Sequence, residues 1–363
     1  MSLTVAPPRG HRLRARVWRV ADALGATFLP SDTFDVLRPL HAGAPLAGRV
    51  EGIHWETPDA VTVTIRPGAD WAGHIPGQYL RLGVDIDGVR HWRTYSLTSR
   101  ADRPDGLVTV TTKAIPDGLV STFVVRSLTP GTLVHLGQAE GDFVLPATRP
   151  AKVLFLTGGS GITPVMGMLR NHADELPDVV LLHSAPTPRD VIFADELREL
   201  AGTGRLRLTV LHTDTDGMLD LATDLDRLVP DWREREVWAC GPGGMLDACQ
   251  AHWGDAGLTQ RLHVERFRPH LQATGAGGRV SFTRTGTTVE ADGGRPILEV
   301  AEEAGVLLPH GCRMGVCYQC VLPLREGVVR DLRTGDLTYA APGDGVAVQT
   351  CVSAAAGACE IEH

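Results

Sequence analysis

Aromatic residues are scarce, at 5% of 363 positions, and lysine is nearly missing, occurring only at Lys113 and Lys152. Long apolar runs are absent too, so no segment is expected to span a bilayer. The first residues lack the apolar centre of an export signal, which makes the cytoplasm the expected location. A formal charge of −8 argues against general nucleic-acid binding. In a reducing compartment, seven cysteines fit metal binding better than cross-linking. The length suffices for two or three domains, each with its own core.

The charge is unevenly spread. Arg9, Arg12, Arg14, Arg16 and Arg19 fall within the first twenty residues, which contain no acid. Residues 1–45 read as an extension without catalytic signature, with helical character over 17–24. Two roles stay open for it: a packing extension, or a basic contact to a membrane surface or an electron acceptor. Residues 279–363 carry eleven acids against seven arginines. That acidic balance would steer the region toward a basic docking patch, although it also serves solubility.

From position 46 to 148 the texture is that of short strands. Segments 61–65, 78–83, 107–112 and 132–136 alternate or carry β-branched residues. They are punctuated by Pro-Gly at 67–68, 76–77 and 130–131 and by Asp-Gly at 117–118. This spacing predicts a small antiparallel β-barrel. From 149 to 269 the pattern becomes βα alternation, with buried strands at 153–157, 179–183, 206–211 and 237–240 and a helix over 162–169. Such alternation predicts a parallel sheet covered by helices on both faces. Residues 270–278, rich in Gly and Ala, read as a linker, and the last domain spans 279–363.

The last domain holds Cys312, Cys317 and Cys320 in a C-x4-C-x2-C spacing, with Cys351 following after a long gap. This is the ligand spacing of a plant-type 2Fe–2S cluster. Gly311 and Gly315 let the backbone approach the sulfurs and present N–H donors to them. The apolar run 345–348 reads as a strand that returns Cys351 to the loop. Structural zinc pairs its ligands two and two, whereas the grouping here is three plus one; zinc and structural cysteine remain the alternatives. Cys249 reads as a small core residue on a helix, and Cys359 has no partner spacing.

Two further motifs lie upstream. Arg93-Thr94-Tyr95-Ser96-Leu97-Thr98-Ser99 ends a barrel strand, and Gly118-Leu119-Val120-Ser121-Thr122 opens a helix whose N-terminus suits an anion. An ordinary turn and a capped helix are the plain reading of each alone. Thr157-Gly158-Gly159-Ser160-Gly161-Ile162-Thr163-Pro164 is a Gly-rich strand-to-helix turn that lets a pyrophosphate approach, with proline in the first helical turn. Cys240-Gly241-Pro242 ends a later strand.

Together these motifs resemble the ferredoxin–NADP reductase superfamily, in the form with a C-terminal plant-type ferredoxin domain; the likeness runs from about residue 46 to the end. The resemblance implies a multidomain fold: an antiparallel β-barrel flavin domain, an α/β parallel-sheet nicotinamide domain and a β-grasp-like ferredoxin domain. It implies Arg93 on the flavin phosphate, Tyr95 and Ser96 at the isoalloxazine ring, and Leu97 within the same motif. Gly118, Ser121 and Thr122 would take the pyrophosphate, which favours FAD over FMN. Gly158, Gly159, Ser160, Gly161 and Thr163 would cradle the nicotinamide nucleotide. Cys240, with Gly241 and Pro242, would sit beside nicotinamide C4 and shape the geometry of hydride transfer. Glu265 and Phe267 fall where relatives place groups near the flavin.

Ser184 and Arg189 are placed to meet a 2′-phosphate, which favours NADPH over NADH, although Arg189 also reads as a solvated loop residue. Electrons would pass from NADPH through FAD and the cluster to a protein acceptor. The Arg-rich composition and the N-terminal extension resemble bacterial reductases that feed membrane fatty-acyl desaturases. A diiron desaturase or hydroxylase is thus the expected acceptor, and it would bring the protein near a membrane. A cytochrome P450 or Rieske oxygenase, a redox sensor, or a flavin reductase with a structural metal site are the competing readings. Tyr318-Gln319 departs from the small residues usual between the second and third ligands. Oligomeric state does not follow from the sequence.

Overall fold

The computed structural model describes residues 39–116, 118–267, 273–311, 313–315 and 318–363. The segments 1–38 and 268–272 and the single positions Asp117, Cys312, Val316 and Cys317 lie outside the described residues. The helical character expected over 17–24 and the role of the N-terminal extension fall there, as do two of the four expected cluster ligands. The chain divides into two compact units between Glu265 and Arg266.

The first unit begins with strands β1 (Ala47–Thr57), β2 (Ala60–Pro67), β3 (Tyr79–Ile86), β4 (Val89–Ser96), β5 (Val108–Lys113) and β6 (Leu133–Leu136). They form an antiparallel sheet in the order β4-β3-β6-β1-β2-β5. The two edges meet where Leu97 bridges Val110 and Thr98 N donates to Thr109 O at 2.9 Å. Period-two alternation decides which side chains point inward. Val61, Val63, Ile65, Val108 and Val110 fill the barrel with Leu80, Leu82 and Leu97. The opposite face carries hydroxyls: Thr62 bonds Thr111 at 2.8 Å, and Thr98 bonds Thr109 at 2.7 Å. Helix α1 (Leu119–Arg126) covers the barrel through Val120, Val124 and Val125.

The same unit continues with the parallel strands β7 (Val153–Gly158), β8 (Val179–Ala185), β9 (Arg207–His212), β10 (Glu236–Cys240) and β11 (Leu262–Glu265), ordered β11-β10-β7-β8-β9. Successive residues of a strand face opposite sides, and each side buries its own cluster. Val153, Phe155 and Leu181 pack against helices α2 (Ile162–His172) and α3 (Ala194–Gly202). Leu154, Leu156 and Leu182 pack against α4 (Leu221–Leu228) and α5 (Gly243–Asp255). Below the sheet, fully buried Arg235 is satisfied by Asp178, Asp231 and the Val153 carbonyl. A buried guanidinium is tolerable only with such pairing. This network fixes the strand ends opposite the glycine turn.

The second unit contains β12 (Gly278–Phe282), β13 (Thr287–Ala291), α6 (Ile297–Glu303), β14 (Val321–Asp331), β15 (Leu337–Ala340), β16 (Ala347–Gln349) and β17 (Ser353–Ile361). The strand order is β13-β12-β17-β14-β15, with β16 paired to β14. Only β12 and β17 run parallel; the other pairs are antiparallel. Helix α6 buries Ile297, Leu298 and Val300 against Phe282, Leu324 and Ile361. This is the β-grasp-like arrangement expected from the sequence. Among the described residues, no helix is long and apolar enough to cross a membrane.

Candidate functional site

The arginine–tyrosine–serine motif closes β4. Register with β3 pairs Leu82 with Arg93, Leu80 with Tyr95 and Tyr79 with Ser96. Arg93 is half-buried and donates from Nη1 to the Trp92 carbonyl at 2.7 Å. Burial drives the Tyr95 phenol well above its ordinary pKa, so the ring carries no charge. The Ser96 hydroxyl is buried and has no hydrogen-bond partner among the described residues. A buried orphan hydroxyl costs free energy unless a further group meets it, which fits a ligand at this position. Leu97 differs from its motif neighbours: its side chain lies in the barrel core and offers a cofactor nothing beyond backbone.

Gly118 caps α1, and among the described residues no side chain caps that helix end. A Cβ on Gly118 would lie 2.4 Å from Ile115 Cγ1 and 2.5 Å from Ser121 Oγ, so the tight turn requires glycine. Ser121 spends its hydroxyl within the turn, donating to Gly118 O at 3.2 Å and accepting from Ile115 N at 3.3 Å. It therefore shapes the helix entrance, while Thr122 is exposed beside it.

The glycine turn and the Cys-Gly-Pro element are far apart in sequence and touch in the fold. Parallel pairing of β7 with β10 sets Thr157 opposite Cys240. A Cβ on Gly161 would sit 2.0 Å from Cys240 O, and one on Gly158 would sit 2.7 Å from Pro242 Cδ. Gly159 has φ +53° and faces open space, leaving a concave backbone at the start of α2. That helix begins without an acidic residue or a side-chain cap, and Thr163 Oγ1 donates to Ser160 O at 2.9 Å. A glycine-lined helix start of this kind suits a pyrophosphate.

Cys240 is fully buried, and burial with the nearby Glu265 carboxyl raises its thiol pKa well above the usual value. A thiol held protonated is a poor nucleophile, in keeping with a shaping role. Glu265 lies opposite Cys240 in the β10–β11 register. Its Oε2 is enclosed and has no hydrogen-bond partner among the described residues, and burial, with a contribution from Asp142, pushes its pKa up to about 8. Phe267 is exposed. Ser184, next to the last residue of β8, lies opposite Gly158. Arg189 is exposed in the short 3-10 turn Pro188–Asp190, and its guanidinium has no carboxylate partner among the described residues.

One residue that the sequence did not single out stands behind the turn. His183 on β8 is fully buried, and its Nδ1 lies 2.8 Å from the Thr157 hydroxyl. Burial, with the nearby His212, lowers its pKa to about 4. No motif marks it, because the pairing exists only once β7 and β8 align.

In the second unit, Cys320 and Cys351 are both buried. Their Sγ atoms lie 3.2 Å apart, so one metal centre can take both. Thr350 N and Oγ1 donate to Cys320 O at 3.1 and 3.0 Å, locking the two segments together. The Gly315 carbonyl accepts from Arg333 Nη1 and Gln349 Nε2. Paired soft thiolates fit an iron–sulfur cluster; Cys312 and Cys317 lie outside the described residues.

Models of three families match the chain: an oxidoreductase FAD-binding domain over residues 62–144, an oxidoreductase NAD-binding domain over 155–251, and a 2Fe-2S iron-sulfur cluster binding domain over 281–356. An NADPH oxidoreductase of Mycobacterium tuberculosis is 46% identical over 362 residues, covering 98% of this chain and 93% of that protein. A glycine betaine monooxygenase reductase subunit of Pseudomonas aeruginosa is 30% identical, covering 76% of this chain and 84% of that one. A 3-ketosteroid-9-alpha-monooxygenase ferredoxin reductase component of Mycobacterium tuberculosis is 33% identical, with coverage of 70% and 76%. The fold matches that of phthalate dioxygenase reductase with a TM-score of 0.59 at 22% identity, covering 87% of this chain and 97% of that one. The chain therefore belongs to the ferredoxin–NADP reductase superfamily, as an NAD(P)H-dependent oxidoreductase that uses FAD and a C-terminal 2Fe–2S domain.

Proposed function

We propose that this protein is the NADPH-dependent reductase of an oxygen-dependent enzyme system, and that its acceptor is a non-haem diiron fatty-acyl desaturase or hydroxylase. FAD accepts two electrons at once as hydride and the cluster passes them on singly, so the cofactors carry the redox chemistry. The residues position and shield them. Arg93 holds a flavin phosphate, Tyr95 and Ser96 meet the ring system, and Gly118 keeps the α1 entrance narrow for a pyrophosphate. The turn Gly158–Gly161 with Thr163 cradles the nicotinamide nucleotide against Cys240, Gly241 and Pro242. Ser184 and Arg189 meet the 2′-phosphate. Cys312, Cys317, Cys320 and Cys351 hold the cluster. The domain limits that go with this reading are 46–148, 149–269 and 279–363.

The observation carrying the relay is the contact of the glycine turn with the Cys240 segment, in the same compact unit as the Arg93 motif. Paired thiols in the second unit supply the exit. The name of the 46% identical relative supports NADPH as the donor. The names of two others support a second reading, in which the acceptor is the oxygenase of a monooxygenase system.

Reconstitution tests the acceptor. NADPH and this protein, added to membranes containing a diiron acyl-CoA desaturase, are expected to drive desaturation. A protein that reduces cytochrome c with NADPH yet drives no desaturation loses the proposed acceptor and keeps the relay.

A further inference from the structure

Helix α2 joins the two cofactor motifs of the first unit. Its first turn is pressed on the Cys240 segment through Gly161. Its last turn grips the end of the flavin motif and the loop that follows it. Arg170 Nη1 donates to Thr98 O at 2.7 Å, and Asn171 Nδ2 donates to Ser99 O at 3.2 Å. Ala101 N donates to Asn171 Oδ1 at 2.8 Å, and Arg100 Nη1 donates to Arg170 O at 3.3 Å. A Cβ on Gly167 would lie 2.4 Å from Leu97 O, so the helix can approach this segment only through glycine.

The Arg170 guanidinium is itself held on its other edge. It forks onto Glu196 through Nε at 2.8 Å and Nη2 at 2.5 Å, and lies 4.8 Å from the Phe193 ring centroid. Phe193 has φ +62°, a strained value for a bulky residue, and its N–H donates to Glu56 Oε2 of the barrel at 3.3 Å. Glu56 in turn accepts from Thr62 Oγ1 at 2.5 Å. The guanidinium thus has one edge on a carboxylate of the nicotinamide half and one on the end of the flavin motif. A planar fork can do both at once; an ammonium cannot reproduce it.

We propose that Arg170 is a positioning residue for hydride transfer. Clamped to Thr98, it fixes the flavin motif to one end of a rigid helix whose other end carries the nicotinamide turn. A two-electron transfer in which hydride leaves one ring and adds to another is steeply sensitive to their separation. A crevice of about 710 Å³ lined by Ser99, Arg170, Asn171 and Glu196 runs beside the clamp. Water entering there solvates the groups exposed by substitution, so variants are expected to fold. The inference rests on NADPH reducing bound FAD and is independent of the acceptor.

The test uses the full-length holoprotein with Arg170→Gln, Arg170→Lys and Glu196→Gln. In Arg170→Gln, FAD content and NADP+ affinity stay within about twofold of the parent while anaerobic flavin bleaching by NADPH slows by roughly tenfold or more. The change that NADP+ binding induces in the oxidised flavin spectrum, which needs no turnover, shrinks in parallel. Arg170→Lys recovers only part of each. Unchanged bleaching and an unchanged NADP+-induced spectrum in FAD-replete Arg170→Gln overturn the proposal. Should that variant lose its FAD, Glu196→Gln decides on the same two readouts, and parental values there overturn it. A parent that NADPH does not bleach defeats the functional reading instead.

Discussion

Cys320 and Cys351 are separated by 31 residues, yet their sulfurs lie 3.2 Å apart. The intervening chain makes this possible through β14, which pairs with β16 just before Cys351. Thr350 then ties its own backbone and hydroxyl to the Cys320 carbonyl. Both thiols sit at the ends of hydrogen-bonded strands, so the strand pairing brings the two sulfurs together.

Cys351→Ser removes one member of that pair. A hydroxyl is a far poorer ligand than a thiolate for iron–sulfur clusters, so cluster absorbance is expected to vanish. NADPH-driven cytochrome c reduction is expected to fall with it. Ferricyanide reduction, which can take electrons at the flavin, should persist near the parental rate. Cytochrome c turnover that survives the loss of cluster absorbance would sink the relay.

Gly161→Ala tests the contact between the two nicotinamide motifs. The added carbon would lie 2.0 Å from Cys240 O and 2.7 Å from Gly241 N, both backbone atoms that cannot swing aside. Overpacking of this kind costs about 1–3 kcal/mol. The expected result is a lowered melting temperature and NADP+ affinity weakened by at least tenfold, with FAD retained. An unaltered NADP+ titration would mean that the turn is not the nucleotide cradle.

Much of this was legible because each motif ends a strand or opens a helix. The period-two pattern of β2 and β5 marked the barrel, the buried runs of β7 and β8 marked the parallel sheet, and the cysteine spacing marked the last domain. What stayed hidden depends on register between distant strands. Thr157–His183 and Gly161–Cys240 become neighbours only when β7 lies between β8 and β10. The Arg170 clamp is invisible for another reason. Arginine at a helix C-terminus is ordinary, and nothing in the sequence announces that its other partner is a carbonyl of the barrel. Ser121 adds a local contact that sequence does not announce: its hydroxyl donates to Gly118 O within its own turn.

His183 makes the first unit sensitive to acid. Its pKa is lowered to about 4 in the fold, chiefly by burial, from 6.5 when exposed. Between those values the unfolded chain takes up a proton that the folded protein refuses. The contribution of this group to stability is therefore fully present above pH 6.5, falls as pH drops toward 4, and levels off below it. The loss is on the order of 3 kcal/mol for a shift of this size. His183→Asn keeps a polar group toward Thr157 without a titrating ring. It should flatten the urea-unfolding free energy over this window, and an undiminished slope would assign the acid sensitivity to other groups.

Glu265 works in the opposite direction. Its pKa is raised in the fold from 4.5 to about 8, first by burial and then by the charge of Asp142. Across that interval the folded protein keeps a proton that the unfolded chain releases, so the contribution of this carboxyl declines as pH rises from 4.5 and levels off above 8. The residue is only half-buried although its Oε2 is enclosed, which tempers the effect to about 2–3 kcal/mol. Glu265→Gln imitates the protonated acid. It is expected to match the parent near pH 5 and to exceed its unfolding free energy at pH 8. Equal stabilities at pH 8 would show that the carboxyl ionises freely, and that it is not the neutral neighbour the Cys240 thiol is packed beside.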